Sequence, residues 1–174
     1  MTELETEIAG NRAAIDEFVA AARAVDANRW ATPPAKGAWS PGQIAEHLAL
    51  TYEYNRKVVG GTAEGLPFPL GVILRPLLRR IVIDNTLKAG RFTRKGKAPA
   101  PFRPGPTPPA PGDVIPRLTS AVSGFEADLR SRPRSETIAH PVFGSIRTAD
   151  WLKVQAIHAR HHRAQLTTIT SGRG

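Results

Sequence analysis

The chain has 174 residues, 24 of them lysine or arginine against 15 acidic, for a formal charge of +9, and it contains no cysteine. That length favours one domain spanning 1–174 with a substantial core. The missing thiols exclude disulfides, thiolate metal sites and a cysteine nucleophile, so any bound metal must be held by nitrogen and oxygen. The charge favours anionic partners in general, without choosing among nucleic acid, a membrane surface and a carboxylate-bearing small molecule. An acidic start (Glu3, Glu5, Glu7) lacks the pattern of a secretion signal. The longest apolar run, Leu66 to Ile83, is interrupted by Arg75, Arg79 and Arg80 and by prolines, so it is a poor membrane span. The expectation is a soluble cytoplasmic protein without a membrane partner.

Apolar residues at helical spacing (Leu4, Ile8, Ile15, Phe18, Val19, Ala22, Val25) predict a first helix over about Thr2 to Asn28, followed by a turn through Pro33, Pro34 and Gly37. Ser40-Pro41-Gly42-Gln43 predicts the start of a second helix, since a Ser-x-x-Gln capping box coincides with proline at the first helical position; Trp39 can staple onto Ile44. That helix runs to about Val59 and stops at Gly60-Gly61. Between 62 and 112, Pro69 to Lys88 can form one short helix, or two broken at Pro76. A basic proline-rich crossover at about 88–112 follows, with Ala98 to Gly112 expected to be extended. A third helix is predicted from Asp113 as N-cap to Arg132-Pro133, and a fourth from Thr148 as cap to Gly172. The loop between them holds His140 and one weak strand signal, Thr137 to Val142. The fold class is all-α, a four-helix bundle whose long crossover lets the second and third helices run parallel.

The fourth helix carries the chemistry. With Val154 at zero and about 100° per residue, its apolar face centres near ~50°, with His158 at ~40° and His162 at ~80°. Histidines four apart on a helix are neighbours and can address one ion. His47, about two turns into the second helix, can look inward and supply a third nitrogen. Three neutral ligands leave at least one coordination position open, the pattern of a catalytic rather than a structural site. The competing reading is three satisfied core or surface histidines. His161, at ~-20°, suits a supporting contact, a substrate contact or plain surface; Gln165, at ~20°, suits a hydrogen bond to a ligand or helix packing. Tyr54 can offer a hydroxyl near the open position or bond a backbone group. His140, before a proline, reads as a turn residue or a ligand. Glu46 points about 100° away from His47, so no carboxylate base is visible.

Trp39-Ser-Pro-Gly-Gln-Ile-Ala-Glu-His47-Leu, then His140-Pro-Val-Phe-Gly, then Trp151-Leu-x5-His158-x2-His161-His162-x2-Gln165-Leu together resemble the DinB-like four-helix-bundle superfamily, over nearly the whole chain. The resemblance implies a divalent metal, commonly zinc or nickel, held at His47, His158 and His162. It also implies thiol-dependent transferase or isomerase activity with a cofactor such as mycothiol or bacillithiol, or metal-dependent hydrolysis, and a homodimer.

The leading expectation is therefore a metal-dependent enzyme that activates a low-molecular-weight thiol toward an electrophilic small molecule. Arg75, Arg79, Arg91, Arg94 and Arg103 are candidates for holding the carboxylates of such a thiol. The alternatives are hydrolysis by metal-activated water and a non-catalytic metal or small-molecule binding protein of the stress response. Nucleic-acid binding is disfavoured, because no recognition motif accompanies the charge.

Overall fold

The computed structural model describes residues 1–64, 71–93, 97–132 and 136–172. Four long helices form a bundle: α1 (Glu3–Arg23), α3 (Pro41–Val59), α6 (Pro111–Ser131) and α7 (Thr148–Thr170). Shorter pieces join them: α2 (Ala27–Trp30), α4 (Gly71–Arg79), α5 (Asn85–Ala89) and a 3-10 turn at Ala100–Phe102.

Each long helix buries the stripe its periodicity predicts. Ile15 and Phe18 of α1, Leu48 and Tyr52 of α3, Leu118 and Phe125 of α6, and Leu152 and Leu166 of α7 are all inaccessible to solvent. Ion pairs mark the directions of the helices. Glu3, Glu7 and Glu17 meet Arg147, Lys153 and Arg163 in ascending order, so α1 and α7 run parallel. Glu53 meets Arg117 and Arg56 meets Asp128, so α3 and α6 also run parallel, as the crossover requires. Glu5 meets Arg130 and Arg12 meets Glu126, which sets the two pairs antiparallel. Most of these pairs are exposed and add little stability individually; they read out register. Within the core the Tyr52 hydroxyl donates to Asn11 Oδ1 at 2.6 Å, tying α3 to α1.

The start of α3 follows the sequence closely. Ser40 Oγ accepts from Gln43 N, and Gln43 Oε1 accepts from Ser40 N. Other boundaries move. α1 ends at Arg23, because Asp26 caps the separate turn of α2 through Asn28 N. Pro76 does not break its helix: α4 passes through it and continues to Ala89 by way of a π-turn at Arg80–Asp84. α6 starts two residues before Asp113, with Pro111 in its first turn, where a missing N–H is harmless, and Ala110 as an N-cap without a side-chain bond. α7 starts at Thr148 itself, with Arg147 as N-cap.

The weak strand signal belongs to a hairpin. β1 (Thr137–His140) pairs antiparallel with β2 (Gly144–Arg147), placing Ile138 opposite Ile146, both buried. Gly144 has φ +74°, the left-handed conformation that closes a three-residue turn.

The proline-rich crossover is not extended throughout, since Pro101 fits the first turn of the 3-10 segment at Ala100–Phe102, which Pro99 precedes as N-cap. It is fastened along α3 and to the end of α2. Gln43 Nε2 donates to Gly105 O, Gly105 N donates to Glu46 Oε2, and Trp30 Nε1 donates to Pro109 O.

Candidate metal centre

Three imidazoles converge where α3 faces α7. His158 Nε2 lies 3.1 Å from His47 Nε2 and 2.9 Å from His162 Nε2. His47 and His162 are buried and His158 is partly buried. Rigid elements hold all three, with His158 and His162 one turn apart on α7 and His47 in the second turn of the firmly capped α3.

The outer nitrogens specify what the inner ones can do. His47 Nδ1 lies 2.6 Å from Phe102 O, which can only accept, so Nδ1 carries the proton and Nε2 presents a lone pair. His162 Nδ1 lies 2.8 Å from Gln165 Oε1, with the same consequence. Two lone pairs therefore point at a third nitrogen. One proton on His158 Nε2 cannot satisfy both well, whereas a cation among the three satisfies all. Zinc–nitrogen bonds of about 2.0–2.1 Å in a tetrahedral frame put donor nitrogens roughly 3.3–3.4 Å apart; the two separations from His158 are slightly shorter, and all three donor atoms lie within 4.8 Å of one another. The residues fit a divalent ion, and among the described residues no cysteine, aspartate or glutamate joins the group.

Electrostatics keep the lone pairs free. Burial, then the neighbouring His47, pushes the His162 pKa down to about 3, against the opposing hydrogen bond to Gln165. Burial, then repulsion from His162, His47 and His161, holds His158 well below the ordinary histidine range. Burial also lowers His47, against the opposing bond to Phe102. Near neutrality all three are uncharged, the state in which histidine ligates a metal.

Aromatic rings wall the centre. Trp39 lies 4.8 Å from His47 between ring centroids, and Phe92 meets His158 and His161 edge-on at 5.5 and 5.6 Å. His161 is exposed at the margin, and its Nε2 is 3.3 Å from Gln165 Nε2. Tyr54 is buried and its hydroxyl donates to Glu64 O; its ring packs on Phe102, the residue that holds His47. His140 lies outside the cluster: its Nδ1 accepts from Val142 N and Phe143 N, closing the hairpin turn, and its ring packs on Trp151. Glu46 is engaged with Gly105 N.

Arg75 and Arg79 are occupied with the carbonyls of Pro141 and Ser145, pinning α4 to the hairpin. Arg91 is exposed, Arg103 bonds Ala98 O, and Arg94 lies outside the described residues. Phe102 O, Trp39 and Phe92 were not predicted as parts of the site. A main-chain carbonyl leaves no signature in composition, and the contacts of Phe92 depend on how the crossover folds back. A surface groove of about 210 Å³ between α1 and α7, bordered by Glu7, Lys153 and Arg160, shares no residue with this centre.

Residues 11–169 match the family described as "Protein of unknown function (DUF1569)". The chain belongs to that family. No curated protein matches it. Among solved structures it is similar to TT2238, described as a four-helix bundle protein, at 20% identity and a TM-score of 0.58, over 95% of this chain and 98% of that one. At that identity the likeness concerns the fold, and the DUF1569 protein described here shares the bundle architecture. Among its described residues no helix is long and apolar enough to cross a membrane.

Proposed function

We propose that this DUF1569 protein is a metal-dependent enzyme that activates a low-molecular-weight thiol for transfer to, or isomerisation of, an electrophilic small molecule. The observation that carries the reading is the convergence of the three Nε2 atoms, two of them fixed as lone-pair donors by Phe102 O and Gln165 Oε1. A divalent ion of the zinc or nickel kind, when bound, lowers the pKa of a thiol or water beside it and polarises a substrate oxygen.

The chain's own residues supply the rest. His47, His158 and His162 hold three ligand positions and stay neutral. Trp39 and Phe92 provide apolar walls that limit water at the centre. The chain contains no cysteine, so the thiol must come from a diffusible cofactor; the exposed Arg91 and Arg103 are the candidates for its carboxylates. The resemblance to the DinB-like superfamily supports the thiol, and supports a homodimer as the working assembly.

The test is a turnover screen of metal-loaded protein with mycothiol, bacillithiol and simpler thiols against electrophiles, run beside a panel of esters and amides without thiol. Thiol-dependent turnover that disappears in His158→Ala supports the reading. Ester or amide cleavage without thiol replaces it with hydrolysis, and turnover unchanged in His158→Ala overturns the metal mechanism.

A further inference from the structure

We propose that Gln165 is a positioning residue that sets the ligand form of His162, and that His161 acts by holding the Gln165 amide in the orientation this requires. The inference rests on reading His47, His158 and His162 as a metal site.

A primary amide has an accepting end and a donating end, and here they face different histidines. Oε1 accepts from His162 Nδ1–H at 2.8 Å, while Nε2 donates to His161 Nε2 at 3.3 Å. With the amide turned over, an NH2 group would oppose the His162 Nδ1–H. The imidazole would then move its proton to Nε2, and the lone pair at the centre would be lost. Nothing within glutamine prefers one orientation, so its neighbours choose: an Nδ1–H on His162 favours Oε1 there, and a neutral His161 that accepts at Nε2 reinforces the choice by rewarding the NH2 end.

All of these side chains stand on one helix at spacings that make them neighbours. His161 and Gln165 are four apart, His162 and Gln165 three apart, and His158 and His162 four apart. The pattern His-x-x-His-His-x-x-Gln then separates into two ligands, one amide that fixes the second ligand, and one imidazole that fixes the amide. His47 is served by the Phe102 carbonyl, which cannot turn over and needs no such anchor. Gln165 and His161 are exposed, so replacing them leaves the core filled.

The experiment measures zinc affinity of the full chain by competition with a chromophoric chelator, together with the visible spectrum of the cobalt(II)-loaded protein. Q165L is expected to bind zinc about 10- to 100-fold more weakly, the usual cost of losing such a partner, with an altered cobalt spectrum. Q165E is expected to keep native affinity, since either carboxylate oxygen accepts from Nδ1–H. H161A is expected to lose affinity by a smaller factor, and the H161A/Q165L double variant to bind no more weakly than Q165L. Native affinity and spectrum in Q165L, equal losses in Q165L and Q165E, or independent multiplication of the H161A and Q165L losses would each overturn the proposal. His158→Ala is the control: a native chain that binds zinc no better than this variant refutes the metal reading and the proposal with it. Native binding indifferent to Q165L refutes the proposal alone.

Discussion

Among single residues, His140 shows how the same side chain chemistry serves structure instead of ligation. Its Nδ1 accepts two backbone N–H groups of the hairpin turn, which needs the neutral ring. Burial, and then the charge of Arg75, pushes its pKa down to about 4 from the ordinary 6.5. Between those values the unfolded chain binds a proton that the folded chain refuses. The contribution of His140 is therefore complete above pH 6.5, falls as the pH drops toward 4, and is flat below; its full size is roughly 3 kcal/mol at most. His140→Asn retains an acceptor for the turn and cannot titrate. Urea unfolding of native and variant chains, both metal-free, should show a shallower loss of stability in the variant between pH 6.5 and 4. Parallel curves would mean that the turn tolerates the imidazolium.

Among the elements, the crossover matters most to the site, and it was the least legible in the sequence. Its prolines announced an irregular segment, yet proline density alone does not say where the chain will lie. Its place is set by long-range contacts with α3, among them a close approach at Gly42. A Cβ there would meet Trp30 Nε1 at 2.6 Å and Pro108 Cβ at 2.7 Å, so only glycine lets the crossover settle on the helix. Gly42→Ala should displace Pro108 and loosen the bond from Trp30 Nε1 to Pro109 O. The expected loss is about 1–3 kcal/mol of stability, the usual cost of overpacking, read by chemical unfolding, with faster amide exchange in the crossover. A variant as stable as the native chain would show that the crossover is held elsewhere. The start of α3, by contrast, was legible because a capping box is local: Ser40 and Gln43 satisfy each other's backbone within four residues. The hairpin was half legible. β1 carries alternating burial, while β2 is four residues whose pairing depends on the turn at Gly144.

For the whole molecule, the four-helix bundle could be read from periodicity, because every long helix presents an apolar stripe that must be covered. The parallel α3 and α6 pair followed from the length of the connection. Periodicity also separated His158 and His162 from His161, since the interruption of an apolar stripe by polar residues is itself a signal. What it could not supply was the state of each ring. That depends on Phe102 O and Gln165 Oε1, one a main-chain atom from a distant segment and the other an exposed side chain with several possible partners. With these contacts, two buried imidazoles and one partly buried one make a candidate site for one divalent ion. Metal analysis of the purified chain beside His47→Ala, His158→Ala and His162→Ala tests it most directly. One ion per native chain, lost in all three variants that still fold, is the expected result; a native chain without stoichiometric metal after reloading, or an ion retained in any folded variant, would contradict it.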